Sequence, residues 1–212
     1  MARGDTRERI LGAALELFNQ EGEPHASTNR IADSLDISPG NLHYHFRTKA
    51  ELTETLFARF ESRMLELLSL PEEAEPDIEQ LWLFLHLVFE TIATHRFIYR
   101  DLTDLCSRNR KIALRMRGIL KLSLDTADGL CRALSSSGKM HASSTERRAL
   151  VRNIVLASTF WLAFDTVLEP ERPERPDRAV WQVMSLLAPY LEPDSREQLQ
   201  LLAASYLPDQ RR

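Results

Sequence analysis

Glycine is scarce in this 212-residue chain: there are 7, and beyond Gly40 only Gly118, Gly129 and Gly138 remain. Hairpin-rich folds and glycine-rich phosphate loops need more of them, at fixed spacings. Neither Asn-Gly nor Asp-Gly links two alternating runs, and Asp128-Gly129 sits inside a helical pattern. Cysteine is scarcer still. The 2 present, Cys106 and Cys131, make no zinc spacing, which points to a reduced, cytoplasmic protein. Long apolar runs are missing too. The run from Ile154 to Phe164 stops at Asp165, about half the ~20 residues a bilayer span requires. No basic start followed by an apolar stretch precedes residue 20, so no signal peptide and no membrane partner are expected. There is no excess of positive charge, with Lys+Arg 27 against Asp+Glu 31 and a net charge of −4. That excludes a polybasic, histone-like protein, but not a DNA binder whose positive charge is confined to one small surface.

What is there reads as helix nearly throughout. Hydrophobic residues make up 43% and charged residues 27%, enough for a packed core. Asp5 or Thr6, with Glu8, predicts the first helix start, and Ile10, Leu11, Ala14, Leu15 and Phe18 give it one apolar face. Gly22 and Pro24 end it. Ser27 or Thr28 caps a short second helix with Ile31, Ala32 and Leu35 inward. After a tight turn at Asp36-Ile37, Ser38 caps a third short helix, with Pro39 at its first position. Thr48 and Glu51 predict a capping box for a fourth helix running to about Leu70. A loop rich in proline and acid covers Pro71 to Asp77. Helices are then expected at 77–94, 96–107, 109–136, 145–168, 177–191 and 194–207. Three prolines, Pro170, Pro173 and Pro176, mark a linker, and Pro189 should stop the helix before it near Leu187. The fold class is all-α, with about nine to ten helices in two domains, 1–50 and 51–212.

The strongest motif lies in residues 27–52. Two helices of about two turns, joined by a very short turn, cannot bury much alone and need the flanking helices as support. That is the helix-turn-helix arrangement, whose second helix enters the major groove by its N-terminal end. Residues 38–50 contain no acid but hold His43, His45, Arg47 and Lys49. An acid-free surface on an acidic protein suits phosphate contact. Pro39 and Gly40 keep the helix tip small. Asn41 and His43 can bond base edges, Tyr44 can reach phosphate or sugar, and Lys49 is expected on phosphate. Leu42 and Phe46 are expected in the core, with His45 packed beside the fourth helix. His43 and His45 are no metal pair, since residues two apart on a helix face different ways.

The run "STNRIADSLDISPGNLHYHFRTKAEL" resembles the DNA-binding domain of TetR/AcrR-type transcriptional regulators. Ser27 and Ile31-Ala32 match that family's second-helix opening, Ser38 to Phe46 its recognition helix, and "HFRTKAEL" its exit into the fourth helix. The resemblance covers about residues 6–57 and implies DNA contact by Ser27, Thr28 and Asn29 beside the residues named above. His43 departs from the aromatic, often Tyr, that the family commonly has there, which introduces a titratable group. The resemblance also implies a homodimer on palindromic double-stranded operator DNA, an effector cavity in the C-terminal helices, and repression as the usual outcome.

The rest of the chain carries no comparable motif. Residues 77–94 are apolar nearly all round, hence central. Their ordinary reading is core. The functional one is a cavity for a largely apolar small molecule, lined by Trp82, Leu85, Phe89, Ile92, Arg100, Met116 and Trp161. Arg100 could anchor a ligand carboxylate or simply form a salt bridge. His86, Glu90 and His95 suit a surface pair better than a metal site. Surplus apolar surface around Phe160, Phe164, Val180, Met184 and Leu187 fits a two-fold interface, with packing inside one subunit as the alternative. A regulator without an effector is the nearest competing function. A helical enzyme fails on chemistry: the sequence has no Gly-x-Ser-x-Gly, no His-Glu-x-x-His and no Cys/His set, so no catalytic residue, metal or cofactor is assigned.

Overall fold

The computed structural model of the chain describes residues 3–69, 77–169 and 175–206. Most of the expected loop at 71–77 and the centre of the Pro170–Pro176 linker, with Pro170 and Pro173, lie outside the described residues. Among the described residues there are eleven α-helices and no strand beyond an isolated bridge between Met140 and Leu191. The helices are α1 (Arg3–Glu21), α2 (Thr28–Ser34), α3 (Pro39–His45), α4 (Lys49–Leu68), α5 (Ile78–Thr94), α6 (Arg96–Arg100), α7 (Leu102–Arg108), α8 (Arg110–Ser136), α9 (Ser144–Leu168), α10 (Pro176–Leu187) and α11 (Pro193–Tyr206). The chain divides into two compact units, Met1–Arg63 with His95–Met116, and Met64–Thr94 with Arg117–Arg212.

The first unit is wider than residues 1–50 because α1 and two seven-residue helices cannot close a core. Phe57 and Phe60 of α4 supply part of it, and Phe97, Ile98 and Tyr99 of α6 supply more. Phe18 meets Phe97 edge-on at 5.4 Å, and Phe60 meets Tyr99 at 5.6 Å. Phe97, Ile98 and Tyr99 are consecutive, yet only 0%, 0% and 4% exposed. No regular helix buries three successive residues on one face, and the expected helix 96–107 is broken at Asp101, with φ −108° and ψ 21°. The start of α1 also differs. It begins at Arg3, so Asp5 and Thr6 are inside it, and Glu8 bonds the Arg59 guanidinium at 2.6 and 2.7 Å instead of capping. That contact holds the Glu8 carboxyl below its ordinary range.

Arg100 is not a ligand anchor here. Its Nη1 and Nη2 donate to the carbonyls of Asn19 (3.2 Å) and Phe18 (3.0 Å), and Arg96 Nε donates to Asn19 at 3.0 Å. In the last turn of α1 these guanidinium groups satisfy the Asn19 carbonyl and add a second donor to the Phe18 carbonyl, which already accepts from Gly22 N–H at 3.0 Å. Met116 is likewise corrected: at 2% exposure it belongs to the core of this first unit.

In the second unit α5 is central, with Ile78, Leu81, Trp82, Leu85, Val88, Phe89 and Ile92 buried. α10 packs on α5 and α9, and α11 on α5. The stripe Val180, Val183, Met184 and Leu187, at i, i+3, i+4 and i+7, is 0–4% exposed. Three of the expected dimer residues, Val180, Met184 and Leu187, are therefore buried within the single chain. As Pro189 dictates, α10 stops at Leu187 and a 3-10 turn covers Ala188–Tyr190. α9 opens on a capping box: Ser143 Oγ accepts from Glu146 N–H, and the Glu146 carboxylate accepts from Ser143 N–H. By length and composition alone α9 could cross a membrane, a test that core helices of soluble proteins also pass.

Candidate nucleic-acid interface

Two serine caps and one strained residue set the geometry of α2, the turn and α3. Ser27 Oγ accepts from Arg30 N–H at 3.3 Å and Ser38 Oγ from Asn41 N–H at 3.2 Å, with Pro39 opening α3 where a missing N–H costs least. Between them Ile37 N–H reaches Ala32 O (3.1 Å) and Asp36 N–H reaches Asp33 O (3.2 Å), a Schellman closure of α2. Its left-handed position is Asp36, at φ +53°. Aspartate tolerates that region better than most residues. The turn is thus held by backbone bonds at the end of α2 and by the Ser38 side chain at the start of α3.

α3 has seven residues, and Leu42 alone is buried within it, with Phe46 sealing its end. The Arg7 guanidinium lies over the Phe46 ring, 4.7 Å from its centre. Pro39, Gly40, Asn41, His43 and Tyr44 face solvent, the last 66% exposed, and His45 is half-buried. Ser27 and Asn29 are also exposed, and Thr28 is half-buried. An open groove of about 730 Å³ brings together Ser27, Thr28, Asn29, Pro39, Gly40, His43 and Lys49. Asn41 and Tyr44 lie on α3 outside it. The groove also takes in His25, Arg47 and Thr48, which reading the motif alone did not assign. The signal for Arg47 was present, since it lies in the acid-free segment.

Lys49 is corrected. Its ammonium donates to the carbonyls of Glu23 (2.8 Å), Ala26 (3.1 Å) and Pro24 (3.3 Å) and stands 3.5 Å from the Glu23 carboxylate. All three donors tie α4 to the α1–α2 connection, so the charge is used inside the unit rather than on phosphate. Glu23, 3% exposed, is the hub: it also accepts from Arg108 Nη2 at 2.8 Å and from Thr53 Oγ1 at 3.3 Å. The expected capping box at Thr48 is half formed. Thr48 Oγ1 accepts from Glu51 N–H at 3.1 Å, but the Glu51 carboxylate accepts from Arg47 N–H at 2.9 Å. That bond engages the Glu51 carboxylate with the backbone before α4.

The expected small-molecule residues do not all meet. Phe89, Ile92 and Trp161 share a cavity in the second unit, with room for about one water molecule (30 Å³). Trp82 and Leu85 are buried on the same helix without lining it. His86 and Glu90 pair at 3.5 Å, and among the described residues no cluster of three or more His, Cys, Asp or Glu gathers.

Two family profiles match the chain. One, described as bacterial regulatory proteins of the tetR family, covers residues 10–62, and one described as a bacterial transcriptional repressor covers residues 59–199. A TetR-family transcriptional regulator from Marinobacter aquaeolei VT8 is similar in fold with a TM-score of 0.85 and 31% identity, over 97% of this chain and 99% of that one. A probable HTH-type transcriptional regulator, YttP of Bacillus subtilis, is 32% identical over 108 residues, which is 46% of this chain and about half (51%) of that protein. A transcriptional regulator from Saccharomonospora viridis, solved in complex with choline, shares the fold at a TM-score of 0.70 and 18% identity, over 90% of this chain and 100% of that one. The capped helix pair with its exposed, acid-free second helix falls within the first matched region, and the helices that follow fall within the second. Together these matches make the chain a member of the TetR family, whose members are DNA-binding transcriptional regulators and not enzymes.

Proposed function

We propose that this chain is a cytoplasmic, homodimeric repressor, released from a palindromic operator by a small, largely apolar effector. The observation that carries the DNA side is the outward face of α3, which has no acid and is capped by Ser38, with Ser27 capping α2 before it. Asn41 and His43 read base edges. Ser27, Thr28, Asn29 and Tyr44 contact the backbone, with Pro39 and Gly40 allowing close approach. Recognition helices spaced about 34–36 Å apart would meet successive major grooves.

The dimer reading rests on α9. Leu156, Phe160, Phe164 and Leu168 are 56%, 42%, 59% and 62% exposed at intervals of four, a continuous apolar stripe that a soluble monomer rarely shows. The effector reading has the cavity at Phe89, Ile92 and Trp161 in support, and the choline held by the Saccharomonospora viridis relative is a precedent within the fold. Its small volume favours a second reading, a regulator without an effector. Selection from a random duplex pool tests the function. The expected product is a two-fold symmetric site bound by two copies, and a pool that stays random refutes it. Phe160→Glu should give monomer by sedimentation, and a dimer that survives it moves the interface elsewhere.

A further inference from the structure

The cavity between α5, α9 and α10 has one unusual wall. Asp165 is 8% exposed, lines the cavity, and its Oδ1 makes no hydrogen bond among the described residues. The nearest positive charge is Arg178 Nη2 at 3.5 Å. Arg178 Nη1 is buried and equally without a hydrogen bond, 3.7 Å from the Glu169 carboxylate. A buried ion pair is stable when its remaining lone pairs and protons are satisfied, and this one is held loosely. The other charged residue on the wall, Arg175, is engaged by Asp177, with Nη2 at 2.5 Å and Nε at 3.3 Å. Among the described residues, the Asp165 carboxylate is thus a buried charged group on the cavity wall with an oxygen that makes no hydrogen bond. Around it the wall is aromatic and aliphatic: Phe89, Ile92, Trp161 and Leu162.

We infer that this cavity takes a small organic cation, with Asp165 as counter-ion and Trp161 and Phe89 as aromatic walls. A buried carboxylate beside aromatic side chains, in a largely apolar lining, favours an ammonium group over a neutral or anionic one. Room for about one water (30 Å³) means that the ligand cannot enter without displacement. The group it displaces is Arg178, which stands in the first turn of α10 as an internal cation on the same carboxylate. Binding therefore moves the start of α10. This deepens the effector reading above and rests on it for its biological meaning, though not for the binding itself.

The test uses the full chain and three probes of one size: benzylammonium, benzyl alcohol and benzoate, titrated calorimetrically. Benzylammonium should bind at least tenfold tighter than benzyl alcohol, with benzoate weakest. Asp165→Asn should abolish the difference between the first two. Trp161→Leu should weaken benzylammonium more than benzyl alcohol, and Arg178→Gln should tighten benzylammonium by removing its competitor. If Asp165→Asn does not fold, the other two variants still decide. Equal binding of all three probes, tightest binding of benzoate, or an unchanged preference in the variants overturns the inference. DNA binding measured in parallel separates the two readings. Protein that selects an operator but ignores benzylammonium loses this inference and keeps the regulator. Protein that prefers benzylammonium but selects no DNA does the reverse.

Discussion

Replacing Lys49 with Met keeps most of the side-chain stem and removes only the ammonium. The structure gives that group three carbonyl acceptors, at 2.8, 3.1 and 3.3 Å, and a carboxylate at 3.5 Å. A hydrogen bond to a charged group contributes about 1.5–3 kcal/mol. The side chain is 29% exposed, so water recovers part of this for the freed carbonyls. Glu23 keeps Arg108 and Thr53 and is not stranded. The net loss should be about 2–4 kcal/mol, a large share of the ~5–15 kcal/mol that holds a typical domain. Urea unfolding reads this directly. DNA affinity is then measured across a salt series at a temperature where both proteins are folded. The slope of log K against log salt should stay the same, whereas loss of one phosphate contact would lower it by about 0.9. An unchanged unfolding midpoint together with a reduced slope would refute the reasoning and return Lys49 to the DNA.

Arg47→Ala should do what Lys49→Met does not: lower the salt slope by about 0.9 while leaving the preferred sequence intact, since its exposed side chain lines the groove and a phosphate contact carries no sequence information. Gly118→Ala should raise stability by up to about 1 kcal/mol in a thermal melt, because the position is exposed, lies inside α8, and an added Cβ meets nothing within 4 Å. Burial pushes the Cys131 thiol up to about 11, with Asp128 adding to it, so the thiolate is nearly absent at pH 8 and a thiol reagent should label Cys131 only on unfolding. Cys106 is half-buried, its thiol also raised by burial, and should label first in the native protein; mass mapping of the labelled peptides checks the order.

The helix-turn-helix was legible because its signals are local. Ser27, Ser38 and Pro39 act on backbone within three residues of themselves, and Leu42 and Phe46 show their inward face by spacing. What was not legible depends on partners far away in the chain. Nothing near Lys49 announces that its acceptors lie 23 to 26 residues earlier, nor does the neighbourhood of Arg100 reveal that its acceptors lie on α1. Periodicity showed that α9 and α10 each carry an apolar stripe. It could not say that the stripe of α10 is covered by α5 and α9 while Leu156, Phe160 and Phe164 of α9 stay open. Of the seven residues expected around a small-molecule cavity, Phe89, Ile92 and Trp161 line the one between α5, α9 and α10. Asp165 went unread because an acid that ends an apolar run looks like the edge of a helix face until its burial is known.

The central claim is that the outward face of α3 reads the operator. It is tested most directly by repeating the DNA selection with Asn41→Ala beside the wild type. Half-site spacing should be kept, while preference at one symmetric pair of positions relaxes by about 1–3 kcal/mol per lost base contact. An identical consensus from both proteins, at equal discrimination, would contradict it.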